Sequence, residues 1–173
     1  LTQMEHHSNI VPWQLVRDSG KENGISIDFV KITKEGFLDE LDLEKKLEGA
    51  GFLSFTMASN VLGTINSVKE ICKKARKLGV LTIVDASQSV PQMPVSVNEI
   101  GCDFLAFTGH KMLGPTGIGV LYGRKELLES LPPFLGGGSM IKRGSFQKSE
   151  WNELPWKFEA GTPNISGAIG LGA

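Results

Sequence analysis

Three apolar runs of strand length constrain this chain most: "FLSFTMA" (52–58), "VLTIVD" (80–85) and "DFLAFT" (103–108). Each is too continuous for a strand with one wet face, so each reads as a strand covered on both sides. Between and before them lie amphipathic helix signals. "NSVKEICKKARKLG" (66–79) places Val68, Ile71, Cys72, Ala75 and Leu78 at helical spacing, with basic residues late and Gly79 as the stop. "DLEKKLEG" (42–49) and "RKELLESL" (124–131) read as shorter helices, and "ISIDFVKI" (25–32) alternates like a strand. Covered strands separated by helices indicate an α/β domain with a mostly parallel sheet. "DFLAFT" and the next strand signal, "GIGVLYG" (117–123), are joined only by "GHKMLGPT", too short for a crossover, so this pair is expected to be antiparallel.

From residue 132 the periodicity dissolves into "PPFLGGGSMI" and a polar stretch, which reads as an excursion over the surface. "SGAIGLGA" at the end reads as the beginning of a helix, and the chain is expected to be a piece of a longer protein. Its formal charge of −1 excludes a strong field for nucleic acid or an anionic membrane. Cys72 and Cys102 are too few and too far apart for a disulfide framework or a metal site, and read as buried, reduced thiols.

In parallel sheets, ligands gather outside the carboxyl ends of the strands. The residues there are Ser59 and Asn60, Asp85 and Gln88, and Thr108-Gly109-His110-Lys111. A lysine and an aspartate closing adjacent strands suit a cofactor that needs an amine for a Schiff base and a carboxylate against a pyridinium nitrogen. Pyridoxal phosphate has both requirements. Thr108, His110 and backbone amides are suitable donors to its phosphate. "GPTGIG" (114–119) reverses the dinucleotide fingerprint and precedes a strand, so a nucleotide loop, and with it a simple Rossmann-type module, is rejected.

The segments "MEHHSNIVPWQ", "SNVLGT", "VDASQSVPQ", "DFLAFTGHKMLGPTGIGVLYG", "GGGSMI" and "WKFEAGTPN" occur in an order and at intervals that resemble the pyridoxal-phosphate-dependent cysteine desulfurases of the class V aminotransferase superfamily. "EHHSNIVPW" and "GGGSMI" resemble the SUF-type, group II branch. The resemblance implies a three-layer α/β/α large domain of the fold type I transferases, with a mostly parallel sheet and one antiparallel strand. Residues 1–131 would be its central part and 132–173 an extended loop and dimer-facing segment, with an N-terminal segment and a C-terminal small domain outside the chain.

The same resemblance implies roles. Lys111 would be the Schiff-base lysine and His6 would stack on the cofactor ring and assist proton transfer. Asp85 would face the pyridine nitrogen and Gln88 the phenolic oxygen. Thr108 and His110 would bind phosphate, Asn60 would lie near the substrate carboxylate, and Thr162 would reach the cofactor of a partner subunit in a homodimer. The implied reaction takes sulfur from L-cysteine, releases L-alanine and passes a persulfide to an acceptor protein for iron–sulfur cluster assembly, in the cytoplasm. The nucleophilic cysteine and the carboxylate-binding arginine would lie outside this chain, which alone is expected to bind cofactor weakly and not to turn over. "DASQ" stands where many relatives have "DGAQ", and both the Asp and the Gln survive. The rival readings are a selenocysteine lyase or another enzyme of the same fold, and a non-catalytic dimerising protein of that fold.

Overall fold

Four strands form one sheet in the order β1 (Phe52–Thr56), β2 (Leu81–Asp85), β3 (Phe104–Thr108), β4 (Gly119–Gly123). The computed structural model describes residues 1–19 and 24–173. Strands β1, β2 and β3 are parallel, and β4 returns antiparallel to β3, as the short connection (109–118) requires. Registers run Phe55–Val84–Leu105–Tyr122 in one row and Thr56–Asp85–Ala106–Leu121 in the next. Successive side chains point to opposite faces of a sheet, so the two rows lie on opposite sides.

The first row belongs to the core. Phe55 and Val84 are wholly buried and Leu105 nearly so. They share one cluster with Leu43 and Leu47 of helix α2 (Glu40–Leu47) and with Val68, Ile71, Cys72 and Ala75 of helix α3 (Val68–Lys77). Helix α2 starts at Asp39, whose side chain accepts the Asp42 amide at 3.0 Å, and α3 stops at Leu78 and Gly79, the latter at φ 73°. Lys74 ties the two helices together at 3.2 Å from Glu40 and 2.8 Å from Glu44.

The opposite face of β1 carries Phe52, Ser54 and Thr56. It meets the start of the chain, where a 3-10 turn (His7–Asn9) runs into helix α1 (Val11–Asp18) with Pro12 in its first turn. Ser54 Oγ donates to Asn9 Oδ1 at 2.6 Å, and the Trp13 and Phe52 rings stand 6.2 Å apart. At the amino end of β3, buried Asp103 accepts the Thr82 amide at 2.8 Å and the Arg124 guanidinium at 3.1 Å, bracing β2 against β3.

Residues 25–32 do not form the expected strand. Val30 bridges Thr2 in parallel and Ile32 bridges Leu38, each as an isolated pair. The alternation of burial is present, but side chains occupy amides that a neighbouring strand would need. Lys31 N–H donates to Asp42 at 2.8 Å and Ile32 N–H to Gln3 at 3.2 Å. A one-turn helix α4 (Val97–Ile100) closes the crossover before β3.

After helix α5 (Lys125–Ser130) the excursion from residue 132 carries a two-stranded hairpin, β5 (Ile141–Gly144) and β6 (Ser149–Trp151), absent from the sequence reading. Its tip residue Phe146 is fully exposed. Two residues root it: Met140 is buried, and the buried Lys157 donates to the Leu128 and Glu129 carbonyls, both at 2.9 Å, at the end of α5. Helix α6 (Ile165–Gly172) follows, capped by Asn164, and confirms the helix expected at the end of the chain.

Phe55 sits at the centre of the core row without access to solvent. Phe55→Ala is expected to cost about 3–5 kcal/mol of unfolding free energy, through lost burial and the cavity left behind. Chemical denaturation measures it, and a loss below about 1 kcal/mol contradicts this placement of the core.

Candidate active site

The polar row ends on a single rim. Thr56 and Asp85 are register partners, Asp85 pairs with Ala106, and Thr108 lies two residues further along the same face of β3. The chain then turns through Gly109–Lys111, a single 3-10 turn. Gly109 has to be glycine. A Cβ there would stand 2.9 Å from Ile118 Cγ2 and 3.2 Å from Leu171 Cδ1 of α6, so the turn passes through a slot with no room for a side chain. That passage sets where His110 and Lys111 emerge.

Asp85 is half-buried. Its Oδ1 accepts the Ser87 amide at 2.9 Å, while Oδ2 takes no hydrogen bond among the described residues. Lys111 is also half-buried, and its ammonium has no hydrogen-bond or ion-pair partner among the described residues. A half-buried cation and a half-buried carboxylate close to adjacent strand ends, each with unused hydrogen-bonding capacity, are unusual where ten ion pairs form among the described residues. Thr108 Oγ1 and His110 Nδ1 share a hydrogen bond of 2.9 Å, so these two form one polar group. Gln88 is half-buried in the turn after Asp85 and its amide makes no hydrogen bond among the described residues.

His6 is exposed, one residue before the 3-10 turn that it caps. The Ser8 amide donates to His6 Nδ1 at 3.2 Å, and Ser8 Oγ lies 2.8 Å from the same nitrogen. Nδ1 is therefore the acceptor, and the neutral ring carries its proton on Nε2. His6 belongs to the segment packed on the face of β1 that bears Ser54 and Thr56, which by register is also the face of Asp85. Asn60, in the turn after β1, and Thr162, in the bend before α6, are exposed and make no hydrogen bonds among the described residues. The structure thus brings together Asp85, Thr108, His110 and Lys111 at one sheet end, with His6 on the same face, and leaves Thr162 outside the hydrogen-bonded group. The rim is open to solvent. A groove of about 580 Å³ lies elsewhere, among Trp13, Val16, Ile27, Leu43 and Phe52.

One buried residue at the site carried no role in the sequence reading. Glu5 Oε1 accepts the Thr56 amide at 3.0 Å and the Thr2 hydroxyl, and Oε2 accepts Asn9 Nδ2 at 2.6 Å. Burial pushes its carboxyl above the ordinary value of 4.5. The three hydrogen bonds act against that rise, and the negative charge of Asp85 adds to it. The signal was present in "FLSFT": two polar residues, Ser54 and Thr56, at alternate positions of an otherwise apolar strand mark a face with a polar partner.

The unpaired lysine, the free carboxylate oxygen one strand away and the Thr108–His110 pair suit a group with an aldehyde, a ring nitrogen and a phosphate. Pyridoxal phosphate is a group of that kind. The chain belongs to the class V aminotransferase family, whose model matches residues 1–173. It is 52% identical to a "Probable cysteine desulfurase" of Halalkalibacterium halodurans over the whole chain and 42% of that protein. It is 45% identical to the cysteine desulfurase of Yersinia pseudotuberculosis, again over 42% of its length. The apo structure of the cysteine desulfurase from Thermococcus onnurineus superposes with a TM-score of 0.92 at 45% identity, covering 98% of this chain and 42% of that one. The cysteine desulfurase CsdA of Escherichia coli gives 0.91 at 39% identity, with the same coverage. The chain therefore spans about two-fifths of the length of these relatives.

Both cysteines are buried, and burial drives both thiols up, that of Cys72 to about 12. In the folded protein neither is expected to react with a disulfide reagent at neutral pH, and both are expected to react once it is unfolded. Rapid native labelling of either, located by mass spectrometry, contradicts the packing. The raised carboxyl of Glu5 gives a second expectation. A carboxyl raised on folding contributes stability that is complete below 4.5 and is lost as pH rises through its folded value. From about pH 4 to about pH 8 the wild type is expected to lose stability relative to Glu5→Gln in urea titrations. A wild type that gains on the variant over that range refutes the direction.

Proposed function

We propose that the complete protein is a cysteine desulfurase that removes sulfur from L-cysteine, releases L-alanine and hands a persulfide to an acceptor protein. The observation that carries the reading is the pairing of Asp85 and Lys111 at the carboxyl ends of β2 and β3, each with unused hydrogen-bonding capacity. Relatives at 45–52% identity that carry this name support it.

Pyridoxal phosphate, when bound, supplies an electron sink for the substrate's α-carbon. The residues of the chain divide the remaining work. Lys111 Nζ would hold the cofactor and would move a proton at the substrate carbon. Asp85 would keep a proton on the ring nitrogen through its free Oδ2, and Gln88 would donate to the phenolic oxygen. The Thr108–His110 pair would hold the phosphate. His6, with its proton on Nε2, would cover the ring and serve as a proton donor. Asn60 would lie towards the substrate carboxylate. Neither cysteine of this chain is suited to be the sulfur-accepting nucleophile, because both are buried and burial raises both thiols, that of Cys72 to about 12.

The open rim is consistent with a site completed by a second subunit, to which Thr162 contributes across a homodimer. The motifs "EHHSNIVPW" and "GGGSMI" support the SUF-type branch, with iron–sulfur cluster assembly as the destination of the sulfur. The two reduced thiols are consistent with a cytoplasmic setting.

Full-length protein incubated with L-cysteine and a thiol reductant, which reduces the persulfide, is expected to release sulfide and alanine in equal amounts. Lys111→Ala is expected to abolish the visible absorption band of the bound cofactor, and Asp85→Ala to keep that band while cutting turnover about a hundred- to a thousandfold. A band that survives in Lys111→Ala, or Asp85→Ala at wild-type rate, overturns the reading.

A further inference from the structure

Glu5 is a carboxylate taken out of water at the edge of an apolar core. Every donor within reach points at it: the Thr2 hydroxyl, the Thr56 amide at 3.0 Å and Asn9 Nδ2 at 2.6 Å. Asn9 is fixed in turn, because its Oδ1 accepts Ser54 Oγ at 2.6 Å and Trp13 Nε1 at 3.3 Å. The Thr2 hydroxyl also accepts the Met4 amide at 3.2 Å. These contacts join residues 2–13 to β1 through the linked side chains of Glu5 and Asn9. Burying a charge costs free energy unless its hydrogen bonds are complete, and here both oxygens are engaged. A hydrophobic side chain at position 5 would avoid that cost but leave the Thr56 amide and Asn9 Nδ2 without this acceptor, so the carboxylate serves a connection rather than burial alone.

What it serves follows from its neighbours. His6 is the next residue, and its backbone is fixed as soon as Glu5 is fixed. Thr56, the β1 partner of Glu5, stands in register with Asp85. We propose, resting on the reading given under Proposed function, that Glu5 is the positioning residue of the site: by clamping the segment to the carboxyl end of β1 it sets the placement of the His6 imidazole relative to Asp85. The clamp has two stages. Glu5 fixes the main chain on one side of His6, and Ser8 fixes the ring on the other by occupying Nδ1, which leaves Nε2–H as the group presented outward. The Glu5 carboxylate thus acts beside the Ser54–Asn9 hydrogen bond and the Trp13–Phe52 ring contact, and adds a direction as well as a distance to the link between the segment and the sheet.

The test uses the full-length protein loaded with cofactor. Glu5→Gln keeps the size and one acceptor oxygen but turns a donor towards Thr2 or Asn9. Protection of the Thr56 amide against hydrogen exchange is expected to fall about ten- to a hundredfold. The nitrogen resonances of His6, a single Nε2–H tautomer in the wild type, are expected to broaden or divide. Turnover of cysteine is expected to fall about tenfold, with KM within about twofold and the Lys111 absorption band retained. Should Glu5→Gln not fold, Asn9→Ala, which removes one donor to the carboxylate, is expected to shift the same three signals in the same direction by a smaller factor. Unchanged His6 resonances together with an unchanged kcat overturn the proposal even where Thr56 loses protection, because a merely structural staple would behave that way. A wild type that does not turn over cysteine overturns the functional reading instead, and the Thr56 and His6 signals then still decide whether the clamp exists.

Discussion

The register of three parallel strands governs this site. Parallel pairing of β1, β2 and β3 brings Thr56 and Asp85 level and points Thr108 to the same face. No contact among the site residues themselves is needed to achieve this. The opposite row, Phe55–Val84–Leu105, is what enforces it. A one-residue slip of β2 would send Asp85 into the core and Val84 out of it, so the burial of three apolar side chains holds the carboxylate on its face. Core and chemistry are two sides of one alternation.

On that face the structure departs from what packing alone would choose. Glu5 is buried at a cost that its hydrogen bonds only partly offset, Lys111 makes no ion pair among the described residues, and Gly109 occupies a slot too narrow for any other residue. Each is unfavourable locally and each lies at or beside the rim. The far end of the sheet is different. There Asp103 is fully engaged by Thr82 and Arg124, as a structural carboxylate should be. The contrast between Asp85, with an idle oxygen, and Asp103, with none, separates a residue kept ready from one already used.

The strands with continuous apolar character were legible in the sequence because burial on both faces leaves a composition that loops cannot share. The antiparallel return of β4 was legible from connection length alone. Residues 25–32 were misleading for a physical reason: alternation reports which side chains are covered, not whether a neighbouring strand takes the amides, and here Asp42 and Gln3 take them. The β5–β6 hairpin was silent because its side chains are mostly exposed and so carry no pattern. At the site, Asp85, Lys111, Thr108 and His110 stood out by their positions after strands. Glu5 did not, since a glutamate before a histidine says nothing until Asn9, Ser54 and Thr56 are seen to converge on it.

The root of the excursion has a consequence of its own. The lysine that ends the arm reaches back to the last carbonyls of α5, and Met140 plugs the other side. Between these two pins the arm behaves as a handle welded at its base, free along its length. Its outer bend, with Phe146 standing clear of the body, can therefore be lengthened, shortened or rewritten without disturbing the sheet.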